Sequence, residues 1–283
     1  MSYSTYVYRK QLRDTQATGP ERRARHNLPM GTLYLVRHGQ ASFGADDYDV
    51  LSPLGHQQAR RLGEHFKTSG IAFDSALTGT LQRQISTHAS ICEGMGVEMP
   101  QASDAERRDG PPLASSGSLG GSEVHAVASV GTVMRWPGLN EYDSHAVIAT
   151  VHAGKLERPT TPEMYRHHFR LLKDGLQQWM DGTASPAGMP TYPEFLRGVT
   201  GALDHVRANC TGNVLLVSSG GPIATAVGHV LGCPPQATIE LNLRIRNSSV
   251  TEFAFNPKRH MLVTYNTLPH LNTPQHADWI TYA

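Results

Sequence analysis

Cysteine is scarce: Cys92, Cys210 and Cys233 are odd in number and form no Cys-x-x-Cys pair. That excludes a disulfide framework and a zinc ribbon. A charge excess of either sign is missing too, with 25 Lys and Arg against 24 Asp and Glu and a formal net charge of +1. Nucleic acid is therefore not an expected partner. No apolar run approaches the roughly 20 residues of a membrane helix, and the N-terminus lacks the apolar core of a secretory signal. A reducing cytoplasm is the expected setting, with no membrane partner. His167-His168 falls outside any HExxH arrangement, so no metal or other cofactor is expected.

What is present is an ordinary globular composition over 283 residues, 39% hydrophobic and 17% charged, long enough to bury a sizeable core. Residues 1–29 differ, carrying Arg9, Lys10, Arg13, Arg22, Arg23 and Arg25 against only Asp14 and Glu21. They read as a disordered or extraneous basic segment ahead of one domain spanning 30–283. A transit peptide is the other reading of an Arg-rich, acid-poor leader.

From Thr32 the chain repeats strand, loop and helix. The apolar run Thr32 to Val36 breaks at Arg37-His38-Gly39, as a buried strand ending in polar groups would. Ser52-Pro53 then opens a helix with Leu54, Ala59, Leu62 and Phe66 on one face. Phe73 to Leu77 reads as a short strand, Thr78 as a helix N-cap, and Leu81, Ile85, His88 and Ala89 as the next buried face. A Gly/Ser/Pro-rich insertion follows near 103–123 and offers little core.

Pro162 to Met180 and Glu194 to Cys210 read as amphipathic helices, the first apolar at Met164, Phe169, Leu172, Leu176 and Trp179. Asn213 to Val217 is a second buried strand, followed by Ser218-Ser219-Gly220-Gly221 and a helix from Pro222 to near Gly232. Ser248 to Phe255 and His260 to Tyr265 read as strands at the sheet margin. Such alternation predicts an α/β fold with a mostly parallel sheet and helices on both faces, its ligands at the carboxyl ends of the strands. Arg37-His38-Gly39, Thr78 to Arg83 and Ser218 to Gly221 would then meet at one edge. Two arginines and a helix N-terminus there suit a phosphate or carboxylate.

Four segments, in order, carry a resemblance. Arg37-His38-Gly39 resembles the RHG signature of the histidine phosphatase, or phosphoglycerate mutase-like, superfamily. Leu51 to Ala59 is similar to its LTxxGxxQA segment, Thr78 to Arg83 to its SSxLxR segment, and Val217 to Ile223 to its VSHGGxI loop. The resemblance implies a three-layer α/β/α sandwich. It implies metal-independent hydrolysis of a small or accessible phosphomonoester through a phosphohistidine on His38, releasing inorganic phosphate. Arg37 and Arg83 would clamp the phosphoryl oxygens, Ser219 and Gly220 would help bind them, and Glu141 would protonate the leaving group.

The sequence departs from that pattern at Ser219, which stands in place of the second catalytic histidine, and at Gly44, where many relatives carry Asn. His152 or His270 is a candidate replacement cation, Glu157 and Glu123 are alternatives to Glu141, and Ser219 reads equally as a plain helix cap. With a cation missing, a phosphate-binding pseudoenzyme is an alternative reading. A phosphoglycerate mutase is another, although the mutase-type RHYG is absent after Glu141, where Tyr142-Asp143-Ser144 follows.

Overall fold

The structure is a computed structural model that describes residues 30–42, 49–98, 102–104, 133–154, 156–157 and 159–282. The basic leader, Gly44, Glu123 and the Gly/Ser/Pro-rich stretch from 105 onward lie outside these residues. Seven strands are described: β1 (Gly31–Arg37), β2 (Ser75–Thr78), β3 (Ala102–Asp104), β4 (Val133–Arg135), β5 (Asn213–Ser218), β6 (Val250–Asn256) and β7 (Arg259–Thr267). They form one sheet in the order β3-β4-β2-β5-β1-β6-β7. All pairings from β3 across to β1 are parallel. The hairpin strands β6 and β7 add antiparallel at the margin.

The helices are α1 (Pro53–Thr68), α2 (Gln82–Met95), α3 (Ser144–Ala149), α4 (Pro162–Met180), α5 (Tyr192–Asn209), α6 (Gly220–Leu231) and α7 (Pro235–Leu243). Alternate side chains of a strand point to opposite faces, and the central strands show it. Leu33 and Leu35 of β1 with Val214 and Leu216 of β5 pack into a core that includes residues of α4, α5, α6 and α7. Val36, Leu215 and Val217 enter a separate core with Ala59, Leu62 and Phe66 of α1 and Ile91 of α2. Two cores on opposite sides of one sheet make the expected α/β/α sandwich. Burying a side chain such as Leu215 contributes about 1.5–3 kcal/mol.

Local chemistry sets the helix boundaries. Ser52 caps α1, its Oγ accepting from Gly55 N with Pro53 in the first turn. Thr161 caps α4 by accepting from Met164 N, which fixes the predicted Pro162–Met180 span. Gly232, at φ 65, closes α6 in the left-handed conformation.

Four expectations need correcting. Thr78 is not a helix cap: it remains in the sheet opposite Val217 and Arg135. Helix α2 starts at Gln82, and its N-terminus is covered by Asp49 from another loop, whose carboxylate accepts from Gln82 N at 2.8 Å. The buried face of α2 includes Arg83, Gln84, Thr87, His88 and Ile91, whereas Leu81, Ile85 and Ala89 are only partly buried. A largely polar buried face belongs there because it turns toward the loop after β1. In α4 only the second half is covered: Leu172, Leu176 and Trp179 are buried, but Phe169 is 42% exposed. Helix α6 begins at Gly220, two residues before the predicted Pro222.

Candidate active site

The parallel register aligns Arg37 of β1 with Ser218 of β5, so the two loops leave the sheet side by side. His38 N donates to Ser218 O at 2.9 Å, which ties the loops together at that point. Gly39 then passes so close to α1 that a Cβ there would sit 2.4 Å from Gly55 O. Only glycine permits that approach. Gly39 N donates to Thr87 Oγ1 at 3.0 Å, and Gln40 N to Gln58 Oε1 at 2.8 Å. The loop is thus held from both α1 and α2.

His38 is 2% exposed. Its Nδ1 lies 2.7 Å from Gly39 O. A carbonyl can only accept, so Nδ1 carries the hydrogen and the neutral ring keeps its lone pair on Nε2. Burial first, then the Arg37 and Arg83 charges, holds the imidazole well below the usual histidine pKa. The same two guanidiniums act on Glu141, so His38, Glu141 and both arginines share one electrostatic neighbourhood.

Both arginines are fixed by other groups. Arg37 Nη1 donates to Ile245 O at 2.6 Å and also to Tyr282 O. Arg83 Nη1 meets Asp49 Oδ1 at 2.8 Å. Anchoring of this kind fixes the orientation of each planar guanidinium.

Glu141 follows the 3-10 turn Pro137–Leu139. Both of its carboxylate oxygens accept from Gly221 N at 3.1 Å, and a Cβ at Gly221 would lie 2.2 Å from Oε1. Burial raises the Glu141 pKa, opposed by the Gly221 N–H, the Arg37 and Arg83 charges and the Tyr142 N–H. Glu157 is exposed.

Ser219 occupies the N-cap position of α6, yet its side chain makes no capping bond. The plain-cap reading is therefore corrected. Its Oγ is fully buried and accepts from Gln84 Nε2 at 2.8 Å. Gly220 is the first residue of α6, with Arg37 Nε 3.7 Å from where its Cβ would be. The suggested replacement histidines sit elsewhere. His270 is paired with Ser248 Oγ at 2.9 Å, and His152 packs against the His167 ring. Neither enters the charge balance at His38 or Glu141.

Sequence reading placed Arg37, His38, Arg83, Ser219 and Gly220 at one sheet edge and took Glu141 from the resemblance, and it missed Asp49, Gln84 and Thr87. Asp49 offered no signal, being an acid in a loop with no periodic partner. Thr87 offered one, because it lies four residues after Arg83 and three after Gln84, at helical spacing from both. Among the described residues, no group of three or more His, Cys, Asp or Glu side chains is arranged to hold a metal ion. None of the described helices is long and apolar enough to cross a membrane.

A family model for the histidine phosphatase superfamily (branch 1) matches residues 33–106 and 136–268, which is most of the chain. The chain belongs to that superfamily. Among curated relatives, a 2,3-bisphosphoglycerate-dependent phosphoglycerate mutase of Bartonella tribocorum is 40% identical over 72 residues, covering 23% of this chain and 34% of its own length. A mitochondrial serine/threonine-protein phosphatase, Pgam5, of Caenorhabditis briggsae is 30% identical over 80 residues, covering 28% of each. The chain thus spans about a third of the length of the curated relatives it matches.

Solved structures share the fold over far more of the chain. Phosphoglycerate mutase from Bacillus anthracis aligns with TM-score 0.53 and 16% identity over 87% of this chain and 97% of that one. A phosphoserine phosphatase from Entamoeba histolytica, solved with 3-phosphoglyceric acid, aligns with TM-score 0.51 and 18% identity over 85% and 99%. At such identity the likeness is one of fold.

Proposed function

We propose that this histidine phosphatase-family protein hydrolyses a phosphomonoester, metal-independently, through a phosphohistidine on His38. One observation carries the reading: the Nδ1 hydrogen of His38 is committed to Gly39 O at 2.7 Å, which leaves Nε2 as the nucleophile of a buried neutral imidazole. Arg37 and Arg83 clamp the phosphoryl oxygens, and the Gly220 N–H at the start of α6 adds a dipole.

In the first step Nε2 bonds to phosphorus as the bond from phosphorus to the ester oxygen breaks. Glu141, whose pKa burial raises, gives the leaving oxygen its proton. In the second step water bonds to phosphorus, its proton passes to the Glu141 carboxylate, and the phosphorus–nitrogen bond breaks to release inorganic phosphate. The guanidiniums neutralise charge that shifts within the phosphoryl group during both steps.

Aryl phosphate turnover tests this reading. Wild type is expected to release phosphate without added metal, and His38→Ala to lose roughly 10³-fold or more, since it removes the proposed nucleophile. Phosphate binding without turnover would point instead to a binder, and transfer between two positions of a phosphoglycerate to a mutase.

A further inference from the structure

Gln84 is fully buried in α2, next to Arg83 and one turn before Thr87, and it reaches Ser219 directly. Its amide orientation follows from its partners. Nε2 is 2.9 Å from Leu139 O and 2.8 Å from Ser219 Oγ, while Oε1 accepts from Leu81 N at 3.3 Å. A carbonyl oxygen cannot donate, so the nitrogen must face Leu139, and its second hydrogen goes to Ser219. The Ser219 hydroxyl is consequently an acceptor in this bond, with its own hydrogen left over.

Among the described residues Ser219 Oγ has no other hydrogen-bond partner, and it is 0% exposed. Ser219 leaves β5 at the position beside His38, because Arg37 and Ser218 are register partners. The remaining hydrogen of a dry hydroxyl there has an oxyanion as its natural acceptor.

We propose that Gln84 is a positioning residue that turns the Ser219 hydroxyl hydrogen toward the phosphoryl oxygens, so that an amide–hydroxyl pair serves where the resemblance implies a histidine. This rests on the hydrolase reading. The pair supplies a neutral, preorganised donor instead of a cation. Because Gln84 also holds Leu139 O, two residues before Glu141, a purely structural role for it must be separated from the positioning role.

The test is a double-mutant cycle of Gln84→Leu and Ser219→Ala, read as kcat and KM for an aryl phosphate and as affinity for orthovanadate, a mimic of the phosphoryl transition state. Each single change is expected to lower kcat about tenfold, the worth of one buried hydrogen bond. KM should move little and vanadate binding should weaken by a similar factor. The double variant should be no slower than Ser219→Ala alone, since one change has already removed what the other acts through. Ser219→Thr, which keeps the hydroxyl, should retain most of kcat.

Effects that multiply in the double variant, or a wild-type kcat in Gln84→Leu, would overturn the proposal. Should Gln84→Leu fail to fold, Gln84→Glu keeps the volume but takes the Ser219 hydrogen for itself. Its kcat is expected to fall at least as far as that of Ser219→Ala, and wild-type activity would again overturn the pairing. His38→Ala separates the two readings. Turnover that depends on His38 but not on Gln84 leaves the hydrolase and removes the pair. Absence of turnover in wild type removes the hydrolase, and non-additive vanadate binding then still decides whether the pair acts on an oxyanion.

Discussion

The loops after β1 and β5 leave adjacent parallel strands at matched positions, yet they furnish the site with opposite materials. The first brings a guanidinium and an imidazole, and Arg83 on α2 adds a second guanidinium fixed by Asp49. The second brings hydroxyls, backbone N–H groups and the start of α6, with no cation among Ser218, Ser219, Gly220 and Gly221. Both formal positive charges are thus supplied by β1 and α2 and none by the loop after β5, although Arg37 Nε reaches within 3.7 Å of where a Gly220 Cβ would be. In the proposed reaction the arginines would grip the anion and the loop after β5 would orient it.

That asymmetry is most easily broken on its charged side. Arg83→Met removes one fork and leaves Asp49 without that partner, and it is expected to lower kcat/KM on the order of 10²- to 10³-fold in steady-state aryl phosphate assays. A loss of only a few-fold would show that the guanidinium is not aimed at the phosphoryl group.

The neutral side breaks through sterics. In Gly221→Ala the new Cβ would meet Glu141 Oε1 at 2.2 Å, so the carboxylate must leave the Gly221 N–H. Loss of the positioned acid is expected to lower kcat about 10²-fold for poor leaving groups and much less for good ones. Equal losses across a leaving-group series would assign the proton to another donor.

The smallest effects are expected from pH. His38 is protonated only well below the usual histidine range, so the acid limb of the rate profile should lie at unusually low pH, whereas the raised Glu141 pKa sets the alkaline limb. Stability follows the same imidazoles. His38, His88 and His270 are buried neutral, with His88 held at about 4 and His270 at about 3. Their pKa values are depressed on folding, so the unfolded chain takes up protons first, near pH 6.5. Stability is accordingly full above that value and is lost as pH falls toward 4 and then 3. Urea midpoints measured from pH 8 to 5 should decline, and a flat series would contradict the buried neutral assignment.

Much of this was legible in the sequence because the informative segments are long, buried and periodic. Thr32 to Val36 and Asn213 to Val217 are apolar runs that can only be interior strands, and each ends in polar residues at the edge where ligands collect. The three-residue strands β3 and β4 were not legible, since three residues establish no period. The short helix α3, with only six residues, was missed for the same reason. The polar inner face of α2 defeated hydrophobic periodicity, because Arg83, Gln84 and Thr87 are buried against Asp49, Ser219 and Gly39 rather than against apolar side chains. Asp49 shows a further limit: it caps α2 and pairs with Arg83 from 34 positions away, a contact that only the folded chain creates.

The central claim is that one imidazole nitrogen becomes covalently bound to phosphorus. Rapid quenching of the protein with a phosphorus-labelled aryl phosphate, followed by acid and alkaline treatment of the trapped chain, measures it directly. The account predicts a transient adduct on His38 that survives alkali, is lost in acid and is absent from His38→Ala. Phosphate release with no such adduct at any time, or an adduct undiminished in His38→Ala, would contradict it.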